Sequence, residues 1–315
     1  MLHRSLIPME LFTFNSEGFG LEAVRTVGLG KKYGDKWGLR SATFSLPRGK
    51  ICMLLGPNGA GKTTTVKLLA TILKPSSGYA EVLGHDIESE YRVIRRLITY
   101  MPQEASIDNN WTPYEAVKWY LVARGYSYSY ASSIARDWLT RLGLDKYRDM
   151  CGWRLSGGNK RKILLAMALA PESELVFLDE PTSGLDVETK YVVWGVLRDV
   201  ARDGRTILLT THDMKEGERL SDYLVFLSNG EVIYHGWLGD VLGRFPYKYR
   251  LLMEDRHPVN GLPSIEVGGN RIVYLRNLDE AGEVLGRRDT WECVKLEKTG
   301  LEDIYLSMVR GVDYG

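Results

Sequence analysis

Three short apolar runs organise most of the chain: Ile51 to Leu55, Leu175 to Leu178, and Ile207 to Leu209 with Thr210 and Thr211 following. None alternates with polar residues, which is the pattern of strands covered on both faces in a parallel sheet. Each run leads into a polar or glycine-rich turn, beginning at Gly56, Asp179 and His212, and then into a helical pattern. Ligands of open α/β sheets bind outside the carboxyl ends of the strands. If the three strands are parallel neighbours, the three turns meet on one edge, and chemistry is expected there.

Between Gln103 and Leu155 the texture changes to helical periodicity crowded with aromatics: Trp111, Tyr114, Trp119, Tyr120, Tyr126, Tyr128, Tyr130 and Trp138. Thr112-Pro113 marks a helix start. We read a helical insertion over about residues 104–160, whose rings form either a small local core or a partly aromatic docking surface. Beyond Gly236, strands are expected at Tyr249–Met253, Arg271–Leu275 and Trp291–Leu296, and helices at Asp279–Leu285 and Leu301–Val309, with Pro and Gly marking loops. The expected division is an N-terminal extension over 1–22, a main domain over 23–240 and a small accessory α+β domain over 241–315.

Composition narrows the function classes. With 41 Lys and Arg against 40 Asp and Glu, the net charge of +1 gives no reason to expect nucleic-acid binding. The longest apolar run, Ile163 to Ala170, falls well short of the roughly 20 residues that cross a bilayer and reads as a core helix. Met1 to Met9 makes a poor signal peptide, and the three dispersed cysteines form neither a disulfide framework nor a metal-ligand pattern. These features predict a cytosolic chain that does not itself span a membrane.

The chemistry lies in the turns. Gly56-Pro57-Asn58-Gly59-Ala60-Gly61-Lys62-Thr63 fits GxxxxGK[ST], follows a buried strand and precedes an apolar stretch (Val66, Leu68, Leu69, Ile72, Leu73) read as a helix. Glycines let backbone N–H groups turn inward around phosphate oxygens, and the helix N-terminus adds partial positive charge. Lys62 would then reach the β- and γ-phosphates of a nucleotide, and Thr63 would ligate Mg²⁺. Asp179 and Glu180 end the second buried strand. Asp179 can hold the metal through its hydration shell, and Glu180 is placed to polarise an attacking water. Leu155-Ser156-Gly157-Gly158 opens a further apolar helix, making a second anion-receptive start. Lys160, Arg161 and Lys162 crowd its first turn, where the macrodipole disfavours cations; a nearby phosphate or acidic partner would relieve this, or the turn is simply solvated.

These motifs, in this order, resemble the ATP-binding cassette (ABC) family over about residues 23–240: the phosphate loop, Leu-Ser-Gly-Gly, Leu-Asp-Glu-Pro, Ser183-Gly184-Leu185-Asp186 and Thr210-Thr211-His212-Asp213. The resemblance implies a P-loop NTPase fold of the ABC type: a mainly parallel sheet, an antiparallel β subdomain and the helical insertion, with the small α+β domain appended. It implies ATP and Mg²⁺ as cofactors. Nucleotide contacts would come from Gly56, Pro57, Asn58, Gly59, Ala60, Gly61, Lys62, Thr63 and Thr64, with Tyr33 stacking on adenine. Metal contacts would come from Thr63, Gln103 and Asp179, and catalysis from Glu180, His212, Lys62 and Gln103. Two cassettes would pair head to tail, each Ser156-Gly157-Gly158 segment closing over the other's γ-phosphate, with Asp186 in the loop that meets the partner. Asn159 departs from the pattern, since many members carry glutamine there; both are amides.

Leu301-Glu302-Asp303-Ile304-Tyr305 near the C-terminus looks like the ending of cassette subunits from the drug- and sodium-export branch, whose membrane pore is a separate polypeptide. The expected partners are therefore a second cassette and a multi-span permease, at the cytoplasmic face of the membrane. A soluble cassette ATPase acting on ribosomes or DNA is the alternative. Ribosome-associated relatives usually carry two cassettes in one chain, and DNA-associated ones insert a long coiled coil before the signature; neither feature is present. A third reading, a regulator that binds but does not hydrolyse, is opposed by the intact Glu180 and His212.

Overall fold

A computed structural model describes residues 22–254, 261–286 and 294–311. The chain divides into two compact units, one formed by 18–213 with 220–235, the other including 214–219 and 236–315. The predicted extension lies almost wholly outside the described residues.

In the larger unit the three apolar runs are the strands β3 (Ile51–Leu55), β7 (Leu175–Asp179) and β8 (Thr206–Thr211). They are parallel neighbours in the order β3-β8-β7, as the pattern requires, with Leu54 opposite Thr210 and Thr210 opposite Asp179. Every residue of the three is buried. Parallel β6 (Ile98–Met101) lies beyond β7, and parallel β9 (Tyr223–Ser228) lies on the far side of β3. The sheet continues through β10 (Glu231–Trp237) into an antiparallel section of β2 (Lys36–Pro47), β1 (Glu22–Tyr33), β4 (Ser77–Val82) and β5 (His85–Asp86).

Helix α1 (Lys62–Leu69) follows β3, and α2 (Tyr91–Leu97) precedes β6. The helix after the phosphate loop is shorter than the apolar spacing predicts. It stops at Leu69 because Thr71 turns into the left-handed region at φ +59°, where Arg95 Nη2 donates to its carbonyl at 2.7 Å; Ile72 lies outside the helix and is 51% exposed. Helix α5 (Gly157–Leu169) precedes β7, and α6 (Val187–Arg202) precedes β8.

The insertion contains α3 (Pro113–Ala123) and α4 (Tyr128–Arg141). Thr112 caps α3 in a reciprocal box with Glu115, and Pro113 occupies the first turn. Its core is mainly aliphatic: Val117, Leu121, Ala131, Ala135 and Leu139 are buried. Of the aromatics in this region, Trp138 is buried, whereas Trp111, Trp119, Tyr128 and Tyr130 are exposed; Trp153, farther along, is 66% exposed. The Lys118 ammonium lies 4.5 Å from the Trp119 ring and 5.1 Å from that of Tyr128, so a largely buried cation supports the outer rings.

The smaller unit contains α7 (Met214–Leu220), α8 (Leu238–Arg244) and an antiparallel sheet ordered β12 (Ser264–Val267), β13 (Asn270–Leu275), β11 (Tyr249–Met253), β14 (Lys295–Lys298), with α9 (Leu278–Gly286) and α10 (Leu301–Arg310). β12 was not anticipated. The strand expected from Trp291 is described only from Lys295, residues 291–293 lying outside the described set. Among the described residues, no helix is long and apolar enough to cross a membrane.

Candidate active site

The loop between β3 and α1 is shaped by close approaches that only glycine permits. A Cβ on Gly56 would stand 2.3 Å from the Leu227 carbonyl oxygen, and one on Gly61, at φ +104°, 2.8 Å from that of Gly38. Helix α1 begins with neither a side-chain cap nor an acidic residue in its first turn, which leaves its orphan amides for an anionic ligand. Lys62 is 6% exposed, and its ammonium donates to the carbonyls of Gly56 at 2.8 Å and Pro57 at 3.1 Å. Burial lowers its pKa, while the carboxylates of Glu180 and Asp179 pull it back up.

The register of β7 against β8 places Asp179 beside this loop. Asp179 Oδ1 accepts from Thr210 Oγ1 at 2.6 Å and from Thr63 Oγ1 at 3.1 Å, whereas the buried Oδ2 has no partner. Tyr100 on β6 pairs with Phe177, two residues before Asp179 and therefore on the same sheet face; its buried hydroxyl is likewise unpartnered. Burial first, and the Asp179 charge second, push the Tyr100 hydroxyl's pKa up. An orphaned carboxylate oxygen beside a threonine hydroxyl is a donor set that fits a hydrated Mg²⁺.

Glu180 follows at φ +48°, a left-handed conformation that costs a non-glycine residue about 1–3 kcal/mol and persists only where surroundings hold it. Its N–H donates to Thr210 Oγ1 at 3.0 Å, and its Oε1 lies 3.1 Å from Nδ1 of His212, which follows β8. The turns after β3, β7 and β8 therefore meet, as the sequence pattern anticipates.

The basic first turn of α5 also finds acceptors within the chain. Lys160 donates to Asn109 Oδ1 at 2.8 Å and Lys162 to the Leu142 carbonyl at 2.9 Å. Arg161 donates to the carbonyls of Asp179 (3.0 Å), Glu180, Pro181 (3.2 Å) and Gln103 (2.7 Å). Internal acceptors take hydrogen bonds from all three, which stay half-exposed.

Other expected residues are reached less directly. Gln103 is exposed, with its backbone tied to Asp179 and Glu180 through Arg161. Tyr33 is exposed, and its ring and the Thr64 hydroxyl both crowd the space where a Gly38 Cβ would be, which puts the ring beside the start of α1. Ser156, Gly157, Gly158 and Asp186 make no described hydrogen bond to the phosphate loop. Ser156 caps α5, accepting from Asn159 N–H at 3.3 Å; Asp186 caps α6, accepting from Thr189 N–H at 2.8 Å, a bond that lowers its carboxyl pKa. All four sit at exposed or half-buried helix starts. Thr210 and Arg161 were not singled out for the site. Thr210 carried a signal in retrospect: a hydroxyl ending an apolar strand adjacent to that of Asp179.

Residues 39–183 match the ABC transporter family. The daunorubicin/doxorubicin resistance ATP-binding protein DrrA of Streptomyces peucetius is 36% identical over 250 residues, covering 78% of this chain and 76% of that protein. The chain belongs to the ABC transporter ATP-binding family. The Nod factor export ATP-binding protein I of Burkholderia orbicola is 37% identical over 206 residues, 65% of this chain and 68% of that protein. A solved structure of an ATP-binding subunit of an ABC transporter superposes with a TM-score of 0.64 at 28% identity, covering 71% of this chain and 93% of that one. The protein is thus an ABC ATPase, an ATP-binding subunit of the transporter class, and the fold expected from the motif order is present.

Proposed function

We propose that this chain hydrolyses ATP to power export through a separate multi-span permease at the cytoplasmic face of a membrane, working as a head-to-tail pair with a second cassette. Residues 23–240 form the motor and 241–315 the accessory domain. Support for export comes from the relative named for Nod factor export and from the likeness to DrrA. Support for a docked permease comes from the exposed rings of the insertion, which starts where the Gln103 loop ends.

In this reading the amides of residues 56–64 cradle the triphosphate, and Lys62 exchanges its two loop carbonyls for phosphate oxygens. Thr63, Asp179 and Gln103 would hold Mg²⁺, which when bound neutralises charge on the β- and γ-phosphates. Glu180 polarises the attacking water and accepts its proton, with its carboxylate oriented by His212. Tyr33 supports the adenine. Ser156, Gly157, Gly158 and Asp186 face outward and act on the nucleotide of the paired cassette.

The observation that carries this reading is the Glu180 carboxylate, held against His212 at the edge shared with the uncapped phosphate loop. Glu180→Gln in the full chain should retain ATP binding and accumulate an ATP-dependent dimer by size-exclusion chromatography while losing turnover. Wild-type turnover in that variant removes Glu180 from the base role. Co-purification of the tagged chain with a multi-span protein from solubilised membranes supports the transport reading; recovery with ribosomes contradicts it.

A further inference from the structure

The first turn of α5 carries a cation that is directed at the chain's own backbone. Arg161 spends its guanidinium on four backbone carbonyls: Nη2 on those of Asp179 and Glu180, Nε on that of Pro181, and Nη1 on that of Gln103. Three acceptors are consecutive residues at the end of β7; the fourth opens the segment leading to the helical insertion. We propose that Arg161 is a positioning residue for hydrolysis, whose fork fixes the peptide planes carrying the metal-side carboxylate, the base and Gln103. This rests on the reading of Glu180 as the base.

Two observations carry the proposal. Glu180 occupies a backbone region that an L-residue leaves unless it is held: Thr210 Oγ1 takes its N–H, its carbonyl accepts from the Ser183 N–H at 3.2 Å, and Arg161 takes that carbonyl together with the carbonyls on either side. Rotation of those peptide planes swings the carboxylate off His212. The second is the division of labour at Asp179, whose side chain is held by Thr63 and Thr210 while its backbone is held by Arg161. A planar guanidinium with five donors can serve acceptors on two segments at once; a lysine ammonium, a compact charge on a flexible stem, does not reproduce that fork. The same side chain links the base to the Gln103 segment, so displacement of that segment reaches Glu180 through one group.

The test uses Arg161→Lys and Arg161→Met in the full-length chain, each alone and combined with Glu180→Gln. Turnover of ATP should fall at least tenfold in Arg161→Lys and further in Arg161→Met, with KM and the Kd for ATP measured without metal both within threefold of wild type. In the Glu180→Gln background, Arg161→Lys should change the residual single-turnover rate by less than twofold, because both substitutions act on one group. Wild-type turnover in Arg161→Lys overturns the proposal, as do losses that multiply in the double variant, or a Kd that rises along with the loss of turnover. If Arg161→Met fails to fold, the turnover-against-KM split of Arg161→Lys decides alone. Turnover that is lost with Glu180→Gln but kept with Arg161→Lys refutes the clamp while leaving the base; turnover kept with Glu180→Gln refutes both.

Discussion

Arg250 in the smaller unit is met by three carboxylates, Glu297 at 2.8 Å, Asp303 at 2.9 Å and Glu302 at 3.5 Å, and Asp303 also accepts the Gly300 N–H that opens α10. Asp179 in the larger unit is as deeply buried as Asp303, yet leaves one oxygen without a donor, next to a glutamate in strained backbone. A buried polar group without a partner costs about 1–3 kcal/mol, and the strain at Glu180 adds to it. The first arrangement is what stability alone selects. The second combines an orphaned oxygen with strained backbone, the pairing expected where a ligand completes a site, and the proposed reaction centre is placed there on that difference.

The comparison breaks first at Glu180. As the general base, Glu180→Gln should cost about 10²- to 10⁴-fold in ATP turnover with little change in thermal midpoint, as followed by phosphate release and calorimetry. Arg250→Met should do the opposite. Leaving Asp303 buried without its cation should cost about 3 kcal/mol in chemical denaturation, with turnover per folded molecule within twofold. Reversal of either pattern removes the distinction between the clusters.

A sharper version asks whether the site gives up stability for its ligand. Asp179→Asn should hold or raise the nucleotide-free stability, by up to about 1 kcal/mol, while abolishing Mg²⁺-dependent turnover; a clear loss of stability means that the orphaned oxygen is not a liability. The smallest effect concerns pH. Hydrogen bonds from Lys295 first and Arg250 second draw the Glu297 pKa down from 4.5 to about 2. A depressed carboxyl contributes stability above its unfolded pKa and loses it as pH falls. The melting-temperature gap between wild type and Glu297→Gln should therefore be constant above about pH 5.5 and close between pH 4.5 and 2.

What the sequence disclosed follows from which physical signals are local. β3, β7 and β8 are uninterrupted apolar runs because both faces are covered, so they and the turns after them were readable. β1 was not: Glu22–Tyr33 mixes buried and exposed positions, and its pairing slips register repeatedly. The end of α1 depended on one left-handed residue, Thr71, that apolar spacing does not record. Trp138 and Trp119 lie in the same helical pattern, and only tertiary packing decides that one is covered and the other exposed. The partners of Lys160, Arg161 and Lys162 are carbonyls supplied by the fold, invisible to any reading of side-chain types. The smaller unit blurred because β12 and β14 are four-residue strands with charged positions.

The central claim is that the amides before Lys62, the acidic pair at the end of β7 and His212 enclose one triphosphate. A crystal structure of the Glu180→Gln chain grown with ATP and Mg²⁺ tests it most directly. The account predicts the γ-phosphate on Lys62 and His212, and the metal on Thr63 with Asp179 Oδ2 at its hydration shell. ATP bound elsewhere, or a filled phosphate loop with Asp179 and residue 180 turned away from the nucleotide, contradicts it.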